Sequence, residues 1–197
     1  MKKILLSFLF LIVSTTLVFG QKIFNKNYSF GDNQKTVAFV PIVNNDFSKN
    51  DEIVNNVLKD TLNLKFIDVS ILRTKLNSET FNILKKIAEK DYKSNELKKF
   101  PNLKTIINTN EIDLIKHSFQ NADILLFPIV FNIEQKGGMT FGSSKFRLYD
   151  LNSGEFIQQF TEKTNVNISG DEGMEMMTAF LIISEKTNLL ENMSRKK

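Results

Sequence analysis

The chain has no cysteine and no tryptophan among its 197 residues, three prolines and one histidine. Without cysteine there are no disulfides, no thiolate metal sites and no cysteine nucleophile. The lipid-anchored class of bacterial lipoproteins is excluded on the same ground. A transition-metal site would have to be assembled from carboxylates. Charge of one sign is also scarce. Twenty-six Lys and Arg face 22 Asp and Glu, for a net charge of +4. The two sets are interleaved, as in Glu79, Lys85, Lys86, Glu89, Lys90 and Asp91. That pattern is a solvated mixed surface and not a nucleic-acid face. Arg195, Lys196 and Lys197 read as a basic tail. No phosphate loop, dinucleotide fingerprint, zinc-protease helix, nucleophile elbow or calcium loop is present. Gly137-Gly138 and Gly142-Ser143-Ser144 lie between predicted strands, where a phosphate cradle would need a helix N-terminus.

Apolar content of 42% and charged content of 24% are those of a globular protein with one buried core. Eighteen Phe read first as compositional bias. Met1 to Gly20 carries Lys2 and Lys3, then an apolar run over Ile4 to Val13, then Val18-Phe19-Gly20 ahead of Gln21. This is the layout of an export signal cut before Gln21, with an uncleaved anchor as the other reading of the same residues. Removing it takes away two lysines and leaves a charge of about +2. Nothing downstream resembles a transmembrane helix.

The remaining pattern predicts a flexible arm over 21–35 and a single α/β (α+β) domain over 36–195. Thr36 to Val43 is a short, nearly all-apolar run suited to a central strand covered on both faces. Ser48 to Leu64 has helical spacing, with Ser48 and Asp51 as a capping pair. Phe66 to Ile71 alternates as a strand and passes into a helical segment near Leu72 to Leu76. Ser78 to Lys90 and Asn110 to Phe119 are helices, and Asp91 to Asn108 is a polar insertion. Ile124 to Val130, Phe141 to Leu151 and Glu155 to Val166 are successive strands joined by turns. A helix beginning near Asp171 carries Met174, Met177, Phe180 and a broad apolar surface. The expected architecture is one mixed sheet of about five strands flanked by helices, in the order β-α-β-α-α-β-β-β-α.

Candidate chemistry is sparse. His117 falls four residues after Asp113 on the polar side of its helix and reads as solvent-facing. The acidic pairs Asp51/Glu52 and Asp171/Glu172 sit at predicted helix N-termini, where the helix dipole accounts for them. The expectation is therefore a protein that is not an enzyme and has no catalytic, cofactor-binding or metal-binding residues.

Certain segments sharpen this. TVAFVPIV resembles the first strand of the family containing the curli secretion channel subunit CsgG, the penicillin-binding-protein activator LpoB and the TolB N-terminal domain. FIDVSILRTKL is similar to that family's second strand and following helix. Asn121-Ala122-Asp123-Ile124-Leu125-Leu126 resembles its Gly-Ala-Asp strand start, and Arg147 to Glu155 its Asp-x-x-Thr-Gly hairpin. The resemblance implies an envelope protein that acts by binding other proteins and uses no cofactor. Val69 stands where relatives often carry Arg, the anchoring cysteine is absent, and Asp91 to Asn108 is too polar for a membrane-crossing hairpin. A soluble periplasmic adaptor fits these departures better than a pore.

The expected function is thus an exported, periplasmic or secreted, non-catalytic adaptor or accessory subunit. Its partner would be another envelope protein and not nucleic acid. The expected contact surface comprises Met174, Met177, Phe180, Lys145, Arg147 and Tyr149. Two alternatives stay open. One is a small-ligand-binding protein with a Phe-lined pocket. The other is an enzyme using His117 and nearby carboxylates.

Overall fold

In a computed structural model of the protein, the described residues are 20–41, 48–89 and 102–194. Residues 1–19 of the expected leader (1–20), Lys90 with residues 91–101 of the polar insertion (91–108), and the basic tail at 195–197 lie outside them.

The strands are β1 (Gln21–Phe24), β2 (Lys35–Phe39), β3 (Leu64–Phe66), β4 (Ile124–Lys136), β5 (Met139–Asp150) and β6 (Phe156–Val166). The helices among the described residues are α1 (Ser48–Val57), α2 (Val69–Lys75), α3 (Ser78–Glu89), α4 (Thr109–Ser118) and α5 (Gly170–Ser194), with a 3-10 turn at Leu103–Thr105. The strands form one mixed sheet in the order β1-β6-β5-β4-β2-β3. β2 runs parallel to β3 and β4, and the other pairs are antiparallel. The parallel strands need crossover helices, which α1 and the α2–α4 run supply.

Helices cover both faces at the root of the sheet. Ala38, Leu125, Phe127 and Tyr149 pack beneath α3 and α4 with Ile83, Ile87, Ile112 and Ile115. Val37, Phe39, Leu126, Phe146 and Leu148 pack on the other side with Val54 of α1 and Ile182 and Leu189 of α5. Each fully buried side chain of this size stabilises by about 1.5–3 kcal/mol. Thr80 and Ser118 share a buried hydrogen bond of 2.8 Å that ties α3 to α4. Asn108 and Glu111 form a reciprocal capping box at the start of α4.

Two expectations are corrected. The segment over 21–35 is not a loose arm. β1 pairs with β6, and Tyr28 and Phe30 are buried; β1 also brings the strand count to six. The expected strand over Phe66 to Ile71 ends at Phe66, and α2 starts at Val69. Asp68 is the reason. Its side chain accepts from the Ser70 amide at 2.8 Å, an N-cap that starts a helix where the apolar alternation would continue a strand.

Local chemistry sets the hairpins. Gly137 and Gly138 both take positive φ in the two-residue β4–β5 turn. In the β5–β6 turn Asp150 Oδ1 accepts from the Asn152 and Ser153 amides, each at 2.8 Å, and Gly154 has φ +77. Asp123 joins three segments. Its Oδ2 accepts from the Thr36 amide at 2.9 Å and its Oδ1 from Asn152 Nδ2 at 3.1 Å. Pro128 sits at a register shift in the β4–β5 pairing, where its missing N–H costs no ladder bond.

Candidate functional site

The expected contact residues separate in the structure. Arg147, Tyr149 and Met177 are in the core, so they are corrected as surface residues. The β5 alternation holds, with Phe146 and Leu148 on one face and Arg147 and Tyr149 on the other. At this level, however, both faces are covered, and the second lies under α3 and α4. Arg147 Nε donates to Gln159 Oε1 at 2.8 Å and its guanidinium reaches Ile87 O at 3.4 Å. Met177 packs on Gly142, where an added Cβ would collide with its Sδ and lie 2.6 Å from its Cγ. Lys145, Met174 and Phe180 remain half-buried. His117 is exposed on the last turn of α4. Asp51 does more than face a helix dipole: Arg73 grips it in a fork, Nε to Oδ2 at 2.6 Å and Nη2 to Oδ1 at 2.7 Å. That grip raises the Arg73 pKa.

The unusual chemistry lies between β6 and α5. α5 buries Met177, Leu181, Ile182, Glu185, Asn188, Leu189 and Asn192 on one stripe. Three of these are polar. Gln158 of β6 is fully buried and joins them. Its Nε2 donates to Glu185 Oε1 at 3.2 Å, and its Oε1 accepts from Asn192 Nδ2 at 3.0 Å. Glu162, four residues on, faces the same helix and is 6% exposed. One oxygen of each carboxyl, Oε2 of Glu162 and of Glu185, is buried without a hydrogen-bond partner. Burial pushes Glu185 up to about 8; the Gln158 amide opposes this and the Glu162 charge adds to it. Burial also raises Glu162, against a hydrogen bond from Ser184 and the charge of Lys22.

Burial in this cluster favours the protonated, neutral form of Glu185 inside the fold. At 1% exposure, Glu185 has no path to a bound substrate. Beside the cluster runs an open groove of about 480 Å³, lined by Gly20, Lys22, Phe160, Glu162, Phe180, Ile183 and Thr187 among others. Sequence reading took α5 as broadly apolar and missed the cluster. The available signal was Glu185 itself, four residues after Leu181 and four before Leu189, inside the buried stripe.

Other cavities are less suited to a ligand. A groove of about 550 Å³ between α1 and α2 is lined by the already engaged Asp51 and Arg73. An apolar pocket lined by Val40, Phe81, Leu84, Phe127 and Phe131 holds about 210 Å³, below the roughly 300–1,000 Å³ of small-molecule sites. Among the described residues no three His, Asp or Glu side chains gather as a metal-binding group, and no helix is long and apolar enough to cross a membrane.

The fold is thus a mixed six-stranded sheet with helices on both faces and a buried carboxyl cluster under its C-terminal helix. No protein-family model matches the chain, and no curated protein does. Among solved structures, the hypothetical protein CT253 from Chlamydia trachomatis has a similar fold. The TM-score is 0.50 at 10% identity, over 83% of this chain and 100% of that one. Two structures of the PelC dodecamer from Paraburkholderia phytofirmans also match. One, a point variant, has a TM-score of 0.42 and 12% identity over 85% of this chain and 96% of that one. The other has a TM-score of 0.40 and 13% identity, with 85% and 94% covered.

Proposed function

We propose that this is an exported, non-catalytic envelope protein, periplasmic or secreted, that holds a partner protein, in the manner implied by its resemblance to the CsgG, LpoB and TolB N-terminal family. The observation that supports this most is the outer edge of β6. β1 pairs with β6 only as far as Gln21 opposite Thr161. The hydrogen bond from the Asn25 amide to Ile157 O sets the alternation. Carried along β6, it turns the N–H and C=O groups of Lys163 and Asn165 outward. Among the described residues no strand pairs with that part of the edge. The groove with Phe180 and Ile183 lies alongside, and Ile183 is 37% exposed. An extended segment of a partner would add there as a strand, its side chains entering the groove.

The test is site-specific photo-crosslinking in cells from positions 163 and 183, with a probe at Lys104 on the 3-10 turn as control. The expected result is one adduct from the first two positions, lost in Lys163→Pro and Ile183→Asp chains that melt like the wild type. Adducts that survive both substitutions would overturn the assignment of this edge. The small-ligand alternative rests on the Phe-lined pocket, whose size argues against it.

A further inference from the structure

The groove between β1, β6 and α5 holds a carboxylate with one buried oxygen that no hydrogen bond satisfies, at the place where the sequence predicts the leader is cut. We propose that removal of the leader places the new α-ammonium group of Gln21 against Glu162, and that this ion pair locks β1 onto the sheet.

Independent observations meet here. The sequence puts the cut between Gly20 and Gln21, and the structure starts β1 at Gln21. Gln21 lies opposite Thr161 in an antiparallel pair. One step further along both strands brings Gly20 beside Glu162, and both residues line the same groove. Glu162 is 94% buried with an oxygen that no group satisfies. A buried carboxylate in that state calls for a donor, best a charged one. The cation already on this face is Lys22, and its Nζ is engaged by Glu191 at 2.9 Å. Gly20 covers the Phe160 ring so closely that a Cβ would lie 2.6 Å from it. Cutting before Gln21 removes that cover and leaves the amine at the mouth of the groove.

The inference rests on the export reading, and one preparation separates the two. The intact mass of the exported protein gives its first residue. A start at Met1 overturns both the leader assignment and the pairing, and a start at another residue near Gln21 overturns the pairing alone. With a Gln21 start, the amine is removed by enzymatic cyclisation of Gln21 to pyroglutamate, in which the α-amine attacks the side-chain amide and ammonia leaves; the lost side-chain amide is common to the wild type and Glu162→Gln, so the comparison between them isolates the ion pair. The expected result is a Tm about 2–4 °C lower for the cyclised form, and no such difference in Glu162→Gln. Gln21→Ser, which keeps the amine and does not cyclise, should melt like the uncyclised chain. Equal Tm values for the two wild-type forms, or a difference that persists in Glu162→Gln, would overturn the pairing while leaving export intact.

Discussion

The Tyr28 hydroxyl donates to Asp150 Oδ2 at 2.7 Å, joining a buried aromatic of the N-terminal segment to the last residue of β5. The other oxygen of the same carboxylate holds the β5–β6 turn. One Asp therefore closes a turn and anchors the segment that carries β1. Burial, and then the Asp150 hydrogen bond, raise the Tyr28 pKa and keep its phenol protonated as a donor.

Tyr28→Phe removes that donor and leaves the turn bonds in place. A hydrogen bond to a charged acceptor contributes about 1.5–3 kcal/mol. The variant should melt several degrees lower, and the Ile23 and Asn25 amides should exchange faster. Unchanged exchange at both would show that β1 is held without this clamp.

Glu185 makes stability fall with rising pH. Its folded value is about 8 against an ordinary 4.5. The folded state therefore binds the proton more tightly, and the stability this brings is fully present below about 4.5 and lost as pH rises through 8. Glu185→Gln stays neutral throughout. Its stability should depend less on pH and exceed that of the wild type by a margin that widens towards pH 8, to on the order of 4 kcal/mol. Parallel curves for the two proteins would contradict the raised value.

Gly142 is set by Met177. Gly142→Ala should cost about 1–3 kcal/mol by overpacking. In a Met177→Ala background the same change should cost far less, giving a coupling of about 0.5–3 kcal/mol in a double-mutant cycle. Additive effects would mean that the clash relaxes elsewhere.

Asp51 is nearly buried and Arg73 is its fork-shaped partner. Arg73→Met leaves the carboxylate without that cation and should cost about 1.5–3 kcal/mol. Arg73→Lys keeps the charge, loses the two parallel bonds and should fall between. Chemical denaturation of the three proteins ranks them directly, and equal midpoints for Met and Lys would show that charge at this position is irrelevant.

The elements with strong local signals were legible. β2 reads as a doubly covered strand because TVAFV has no polar face. The Gly137-Gly138 and Asn152-Ser153-Gly154 turns announce their hairpins. What was not legible depended on distant partners. β1 has no pattern of its own and is a strand because β6 offers an edge. Asp68 caps a helix in a segment whose alternation reads as strand. The carboxyl cluster was hidden because Gln158, Glu162 and Glu185 become neighbours only when α5 crosses the sheet. Arg147 and Tyr149 looked outward because alternation shows two faces of a strand without showing that helices cover both.

The sheet joins the beginning of the chain to its end. Asn25 bonds to Phe156 across a separation of 131 residues, and Tyr28 to Asp150 across 122. A ribosome releases β1 long before β6 exists, so its strand pairing waits until most of the chain has emerged. Such high-contact-order closure is slow. The N-terminal strand therefore stays without its sheet partner until late in synthesis, and completion of the sheet is among the last steps of folding.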